Sequence, residues 1–378
     1  MKISTKILHT GVEIDAHTGA VSLPIYPAST YHQHSIDKPG EYEYIRSGNP
    51  TRQAVEKLVA SLENGSYGFA FASGMAAISS VLMLLSPGNH ILAPEELYGG
   101  TYRALTRLFS RFQIETTFID MSDAEVVKKA IRPNTRAIYI ETPSNPLFRI
   151  TDLKGMAKVA KENNLFTIAD NTFMTPYLQR PLDLGIDISV HSATKFLGGH
   201  SDLLAGVVVV KDKGLANEIK FVQNAFGAVL SPHDSWLLMR GIKTLKVRLE
   251  QQQASAIEIA RWLCRCPEVV AVYYPGLPDH PGRALHRRQA SGSGGILSFR
   301  LKNKRLAKKV MTRVKLPVVA VSLGAVESIL TYPWTMSHAA IPVARRRELG
   351  IDEDLLRLSV GIEAVEDLIE DLKQALEG

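Results

Sequence analysis

Lys195 is flanked by small and apolar residues in the run Ser192-Ala193-Thr194-Lys195-Phe196-Leu197-Gly198-Gly199. Most lysines are solvated surface cations. An amine walled by such neighbours is desolvated, which disfavours its ammonium form and leaves a nucleophile able to condense with an aldehyde. Ser192 and Thr194 add two hydroxyl donors suited to an anion. Upstream, residues 166–169 read as a buried strand that ends in Asp170. A carboxylate at the C-terminal end of a strand in an open α/β sheet lies where such sheets bind ligands. A third piece is Ser73-Gly74-Met75, which follows the strand-like residues 68–72 and opens an apolar helix. Free N–H groups at a helix N-terminus bind phosphate, and glycine lets the anion come close.

Each piece has a plainer reading. Asp170 could cap a helix, Gly74 could serve an ordinary strand-to-helix turn, and short small-residue motifs recur without function. Together they describe one ligand, with an amine for an aldehyde, an anion for a protonated ring nitrogen and a cradle for a phosphate. Pyridoxal 5'-phosphate has those three parts, and its protonated ring is an electron sink.

The elements that must position these groups alternate. Short apolar strands at 91–93, 137–141, 166–169, 186–190 and 206–210 are separated by helices, one over 51–64 and one capped by Thr151 with Leu153, Met156 and Ala160 on one face. Near-continuous apolar strands between helices indicate an α/β sheet covered on both faces and mostly parallel. After Gly241 the pattern changes to a helix over 242–263, strands near 269–273 and 296–301, a helix over 305–314, an extended segment at 317–322 and a last helix from Val365. Three units are expected: an arm at 1–45 rich in Pro, Gly, Tyr and His, a large coenzyme-binding domain at 46–240 and a smaller C-terminal α/β domain at 241–378.

Of the 378 residues, 45% are apolar and 22% charged, ordinary values for a soluble globular chain. The longest apolar run falls far short of the roughly 20 residues that span a bilayer. No signal-peptide core stands at the N-terminus, and Cys264 and Cys266 sit too close together to staple a fold, so a cytoplasmic location is expected. The net charge of +6 is spread along the chain, which argues for a solvated face rather than a nucleic-acid surface. Ser192 and Lys195 also have the spacing of penicillin-type serine enzymes, whose Ser-Asp-Asn and Lys-Thr-Gly partners the sequence lacks. His191 and His200 have neither helical spacing nor a third ligand nearby, so no metal site is expected.

Several further motifs carry a family resemblance: Tyr44-Ile45-Arg46-Ser47-Gly48-Asn49-Pro50-Thr51, Tyr98-Gly99-Gly100-Thr101, Glu141-Thr142-Pro143-Ser144-Asn145-Pro146 and Arg357-Leu358-Ser359-Val360-Gly361. With the three above, they make the chain resemble the pyridoxal-phosphate enzymes of cysteine and methionine metabolism, the group of cystathionine lyases, cystathionine γ-synthase and methionine γ-lyase. The resemblance implies aminotransferase fold type I and a role for each motif. Lys195 would hold the coenzyme and shuttle protons, Asp170 would pair with the ring nitrogen, and Tyr98 would stack on the ring and assist proton transfer. Gly74, Met75, Ser192 and Thr194 would hold the phosphate. Tyr44 and Arg46 would reach the phosphate of a neighbouring subunit in a homotetramer of two dimers with shared sites. Arg357 would grip the substrate carboxylate, helped by Asn145 and Ser322.

Lysis at Cβ and at Cγ use the same residues, so the motifs leave the reaction open. Gly100 stands where methionine γ-lyases carry cysteine, which disfavours that member. Residues 322–330, with Tyr332-Pro333 and 336–340, are similar to Bacillus-type cystathionine β-lyases, and Glu327 would contact the distal amino group of cystathionine. The resemblance implies β-elimination first, with a γ-lyase or a transferase acting at Cγ as the alternative.

Overall fold

The structure, a computed structural model, describes residues 1–11 and 13–377. Seven strands form the larger sheet: β1 (Tyr67–Phe71), β2 (His90–Pro94), β3 (Glu115–Ile119), β4 (Thr135–Glu141), β5 (Phe166–Asp170), β6 (Ile188–Ser192) and β7 (Gly206–Val210). Their order is β1-β7-β6-β5-β4-β2-β3. Strands β2 to β6 run parallel, and β7 is antiparallel to both its neighbours. The four valines of β7 show why helices cover both faces. Side chains alternate along a strand, so Val207 and Val209 join one core cluster while Val208 and Val210 join another. Burying each valine contributes about 1.5–3 kcal/mol.

Helix Pro50–Leu62 covers one face through Val55, Leu58, Val59 and Leu62. Asn49 caps it by accepting from the Thr51 and Arg52 N–H groups, with proline at its first position. Helix Gly74–Leu82 covers the other face through Ala77, Ile78, Val81 and Leu82. A second sheet contains β8 (Val269–Tyr273), β9 (Ile296–Leu301), β10 (Val318–Val319), β11 (Ile329–Thr331) and β12 (Leu355–Ser359), in the order β10-β11-β12-β9-β8. Helices Leu245–Leu263, Lys304–Arg313 and Val365–Glu377 share its core with Leu356 and Leu358. The alternation of β12 therefore turns Arg357, between those two leucines, to the opposite face.

The α/β class and the largely parallel large sheet agree with the sequence reading, and several details differ. The helix expected over 242–263 is two helices, Pro232–Lys243 and Leu245–Leu263, separated at Thr244. Thr244 ends the first by donating its hydroxyl to Gly241 O and accepts from Arg248 Nε, both at 3.1 Å. Position 240 lies inside the first of these helices. Asp152, not Thr151, caps helix Leu153–Glu162: its Oδ1 accepts from the Gly155 N–H at 3.1 Å. The segment at 317–322 contributes only the two residues of β10. In the arm, helix Ile3–His9 buries Ile7, and most of the rest to 45 is irregular and exposed. Among the described residues no helix is long and apolar enough to cross a membrane.

Candidate active site

The C-terminal ends of β4, β5 and β6 meet the start of helix Gly74–Leu82 and residues from the second sheet around a cavity of about 410 Å³. Asp170, the last residue of β5, is buried in its wall. Its Oδ1 accepts from the Thr172 N–H at 3.0 Å and the Thr172 hydroxyl at 2.5 Å, and its Oδ2 from the Tyr139 hydroxyl at 3.3 Å. Burial raises its pKa against the pull of the Thr172 donors, so a cationic partner in the cavity would restore the charged form. Lys195 follows β6 and donates from Nζ to Ser322 Oγ at 2.6 Å. Its pKa falls to about 8, first through desolvation and then through the nearby Arg357 cation.

Between these two groups and the helix is a cradle. Ser73 Oγ accepts from the Ala76 N–H at 3.0 Å, while the N–H groups of Gly74 and Met75, in the first turn, have no intrahelical acceptors by helix geometry. A Cβ on Gly74 would stand 2.7 Å from both Cβ and Oγ of Ser192 and 3.0 Å from its Cα. Only glycine lets helix and strand approach this closely. Thr194 also lines the cavity, but its hydroxyl accepts from the Ala205 N–H at 2.9 Å and donates to Ala205 O at 3.2 Å.

Arg357, also in the cavity wall, is buried. Its Nη1 donates to Asn145 Oδ1 at 2.9 Å, and its Nη2 to Ser322 O at 2.8 Å and Thr331 Oγ1 at 3.2 Å. Its Nε is buried without a partner among the described residues. Burial lowers its pKa to about 10, which still leaves a cation at neutral pH. Ser322, which takes bonds from both Lys195 and Arg357, has φ at 105°. A left-handed backbone costs a residue with a side chain about 1–3 kcal/mol, and these two bonds help to hold it. Tyr98, 40% exposed, lines the cavity beside Gly100, while its backbone N–H donates to Glu141 Oε2 at 2.9 Å.

The cavity thus gathers Gly74, Met75, Tyr98, Asn145, Asp170, Ser192, Thr194, Lys195, Ser322 and Arg357. Three expected residues lie elsewhere. Glu327 accepts from Ser201 Oγ at 2.5 Å and is not part of the lining. Tyr44 and Arg46 are exposed on the arm side, with Arg46 Nε 3.3 Å from Asn224 Oδ1 and its guanidinium over the Tyr44 ring at 5.3 Å. Sequence reasoning assigned no role to Glu141, which lines the cavity and pairs in register with Asp170 on the adjoining strand. The strand-end rule that singled out Asp170 applies equally to it. Burial, and then the charge of Asp170, push the Glu141 carboxyl well above the carboxylate range.

A desolvated lysine, a buried carboxylate and a glycine-opened helix N-terminus around one cavity fit pyridoxal phosphate, and they define an enzyme of the coenzyme-holding lysine class. The chain belongs to the family described as Cys/Met metabolism PLP-dependent enzyme, which it matches over residues 4–377. Pyridoxal phosphate is its cofactor and a sulfur amino acid its substrate class, as the motifs implied. It is similar to the cystathionine beta-lyase MetC of Bacillus subtilis, at 55% identity over 99% of this chain and 96% of that protein. A cystathionine gamma-lyase of the same organism is 53% identical over the full length of both. The crystal structure of cystathionine gamma-lyase from Lactobacillus plantarum complexed with L-serine is similar with a TM-score of 0.97 and 46% identity, covering 99% of this chain and 98% of that one.

Proposed function

We propose that this protein cleaves L-cystathionine by β-elimination to homocysteine, pyruvate and ammonia. The observation that carries the lyase chemistry is the convergence of Lys195, Asp170 and Arg357 on one cavity. Bound there, pyridoxal phosphate would supply an aldehyde that exchanges Lys195 for the substrate amine, and a ring that withdraws electrons from Cα. Asp170 would keep the ring nitrogen protonated, and Gly74, Met75 and Ser192 would hold the phosphate. Tyr98 would cover a ring face. Arg357 would grip the α-carboxylate and fix which bond of Cα stands ready to break. The released Lys195 amine would take the Cα proton. The C–H pair then becomes the Cα–Cβ double bond, the C–S pair leaves with sulfur, and homocysteine takes up a proton. Hydrolysis of the remaining three-carbon fragment gives pyruvate and ammonia.

Relatives named cystathionine beta-lyase support lysis at Cβ: beside the Bacillus protein, one from Lactococcus lactis is 50% identical and one from Coxiella burnetii 48%. The 53% identity to a cystathionine gamma-lyase and the 0.97 TM-score to another support a second reading, lysis or replacement at Cγ. The purified protein, given L-cystathionine, should release pyruvate; release of 2-oxobutyrate would establish the second reading instead.

The exposed arm, with apolar Ile14, Val21, Ile36 and Tyr44 at its surface, supports a homotetramer of two dimers in which Tyr44 and Arg46 complete the partner's phosphate site. Mixing Arg46→Ala with a coenzyme-site variant tests this, because only shared sites allow mixed dimers to regain activity. The two separate sheets support a division into an arm at 1–45, a coenzyme domain at 46–240 and a C-terminal domain at 241–378. The absence of a spanning helix among the described residues is compatible with a cytoplasmic location.

A further inference from the structure

The chain leaves the second sheet after β11 and returns at β12, and on the way residues 336–340 press against the cavity. A Cβ on Gly99 would come within 2.5 Å of Ser337 O, so this segment packs directly on the loop that carries Tyr98. Met336, Ser337, Ala339 and Ala340 line the cavity; His338 does not. It is fully buried behind them. Its Nδ1 lies 2.8 Å from Ser337 Oγ and its Nε2 2.9 Å from the backbone oxygen of Asn145. A carbonyl oxygen only accepts, so Nε2 carries the proton and Nδ1 accepts from the Ser337 hydroxyl. The neutral ring satisfies both contacts. Burial, together with the Arg357 and Arg346 cations, keeps it neutral by lowering its pKa to about 3.

The backbone oxygen of Asn145 is held by His338 and its Oδ1 by Arg357 Nη1. Among the described residues that Oδ1 is the one acceptor of Nη1. Nη2 is held separately, by Thr331 Oγ1 and by Ser322 O of a residue with left-handed backbone. We propose that His338 is a positioning residue: through Asn145 it fixes the angle at which Arg357 presents its guanidinium, and so sets affinity for the substrate carboxylate. The proposal rests on the reading of Arg357 as the carboxylate grip. Without the His338 donor, Asn145 can swing, Nη1 loses its acceptor, and the fork no longer meets a carboxylate squarely.

The test compares glycine with methylamine, which lacks only the carboxylate, as ligands of the coenzyme-loaded enzyme, read by the change in coenzyme absorbance. The wild type should prefer glycine. His338→Leu should weaken glycine about tenfold and leave methylamine unchanged, the loss expected of one buried bond to a charged group's support. His338→Gln, whose Nε2 can donate to the Asn145 carbonyl, should restore most of the glycine affinity. Ser337→Ala, which removes only the donor to Nδ1, should weaken glycine alone and serves if the leucine variant does not fold. Equal losses for both amines, or an unchanged glycine affinity in His338→Leu and Ser337→Ala, would overturn the proposal. A wild type without preference for glycine would overturn it too, and would do so by removing the carboxylate grip itself.

Discussion

In the coenzyme-free protein the Lys195 amine should titrate near pH 8, against 10.5 for an ordinary lysine. At pH 7 that leaves about one tenth as free base, compared with about 3 in 10,000 unperturbed, a gain of about 300-fold. Desolvation supplies most of the effect and the Arg357 cation the rest. Arg357→Leu should therefore move the midpoint upward. Trace acetylation from pH 6 to 11, with Lys195 modification quantified by mass spectrometry against surface lysines, measures both midpoints. A wild-type midpoint at 10 or above, or one that stays put or falls in Arg357→Leu, would refute the reasoning. The same shift has a stability consequence. The native amine binds protons less tightly than the unfolded one, so it destabilises the coenzyme-free protein fully below about pH 8, and the penalty fades as pH rises to 10.5. Lys195→Met should thus be more resistant to urea than wild type at pH 7, with an advantage that shrinks at pH 10.

Gly74→Ala should weaken coenzyme binding to the coenzyme-free protein about 10- to 100-fold, the equivalent of an overpacking cost at a contact with no slack; an unchanged dissociation constant by fluorescence titration would count against the cradle. Arg357→Lys should raise KM for the amino-acid substrate about 30-fold with coenzyme content intact, because a point donor replaces a fork. Steady-state kinetics with a parallel coenzyme assay separates the two. Glu327→Gln should change KM less than about twofold, since its contact with Ser201 lies outside the cavity and is solvent-accessible. A tenfold rise would put Glu327 back at the substrate.

Lys195, Asp170 and Gly74 were legible because each announces itself locally, by small neighbours, by a strand end or by a helix start. Arg357 has no such signature; as an arginine inside an apolar strand it became meaningful only through the family motif, and the structure gives the reason in the alternation of β12. His338 reaches Asn145 across 193 positions, a distance that no spacing argument spans. His191 was weighed as a metal ligand, but its Nε2 lies 2.6 Å from Glu63 Oε1 with both side chains buried, a pairing visible only once helix and sheet are stacked. Strand β3 escaped notice because Thr116 and Thr117 interrupt an edge strand whose residues are only half covered. The break at Thr244 escaped for the opposite reason, since the apolar period runs through it and only a local hydrogen-bond pattern stops the first helix.

Among the described residues Arg357 meets only neutral acceptors, so its positive charge has no counter-ion in hydrogen-bond contact. Such a site welcomes small organic acids in general. A keto acid released by the reaction carries the same head as the amino acid that entered, and acetate or formate in a buffer carries it as well. Turnover should accordingly slow as product accumulates, with the competition easing when substrate is raised, and rates measured in carboxylate buffers should fall below those in amine-free, acid-free media of equal ionic strength.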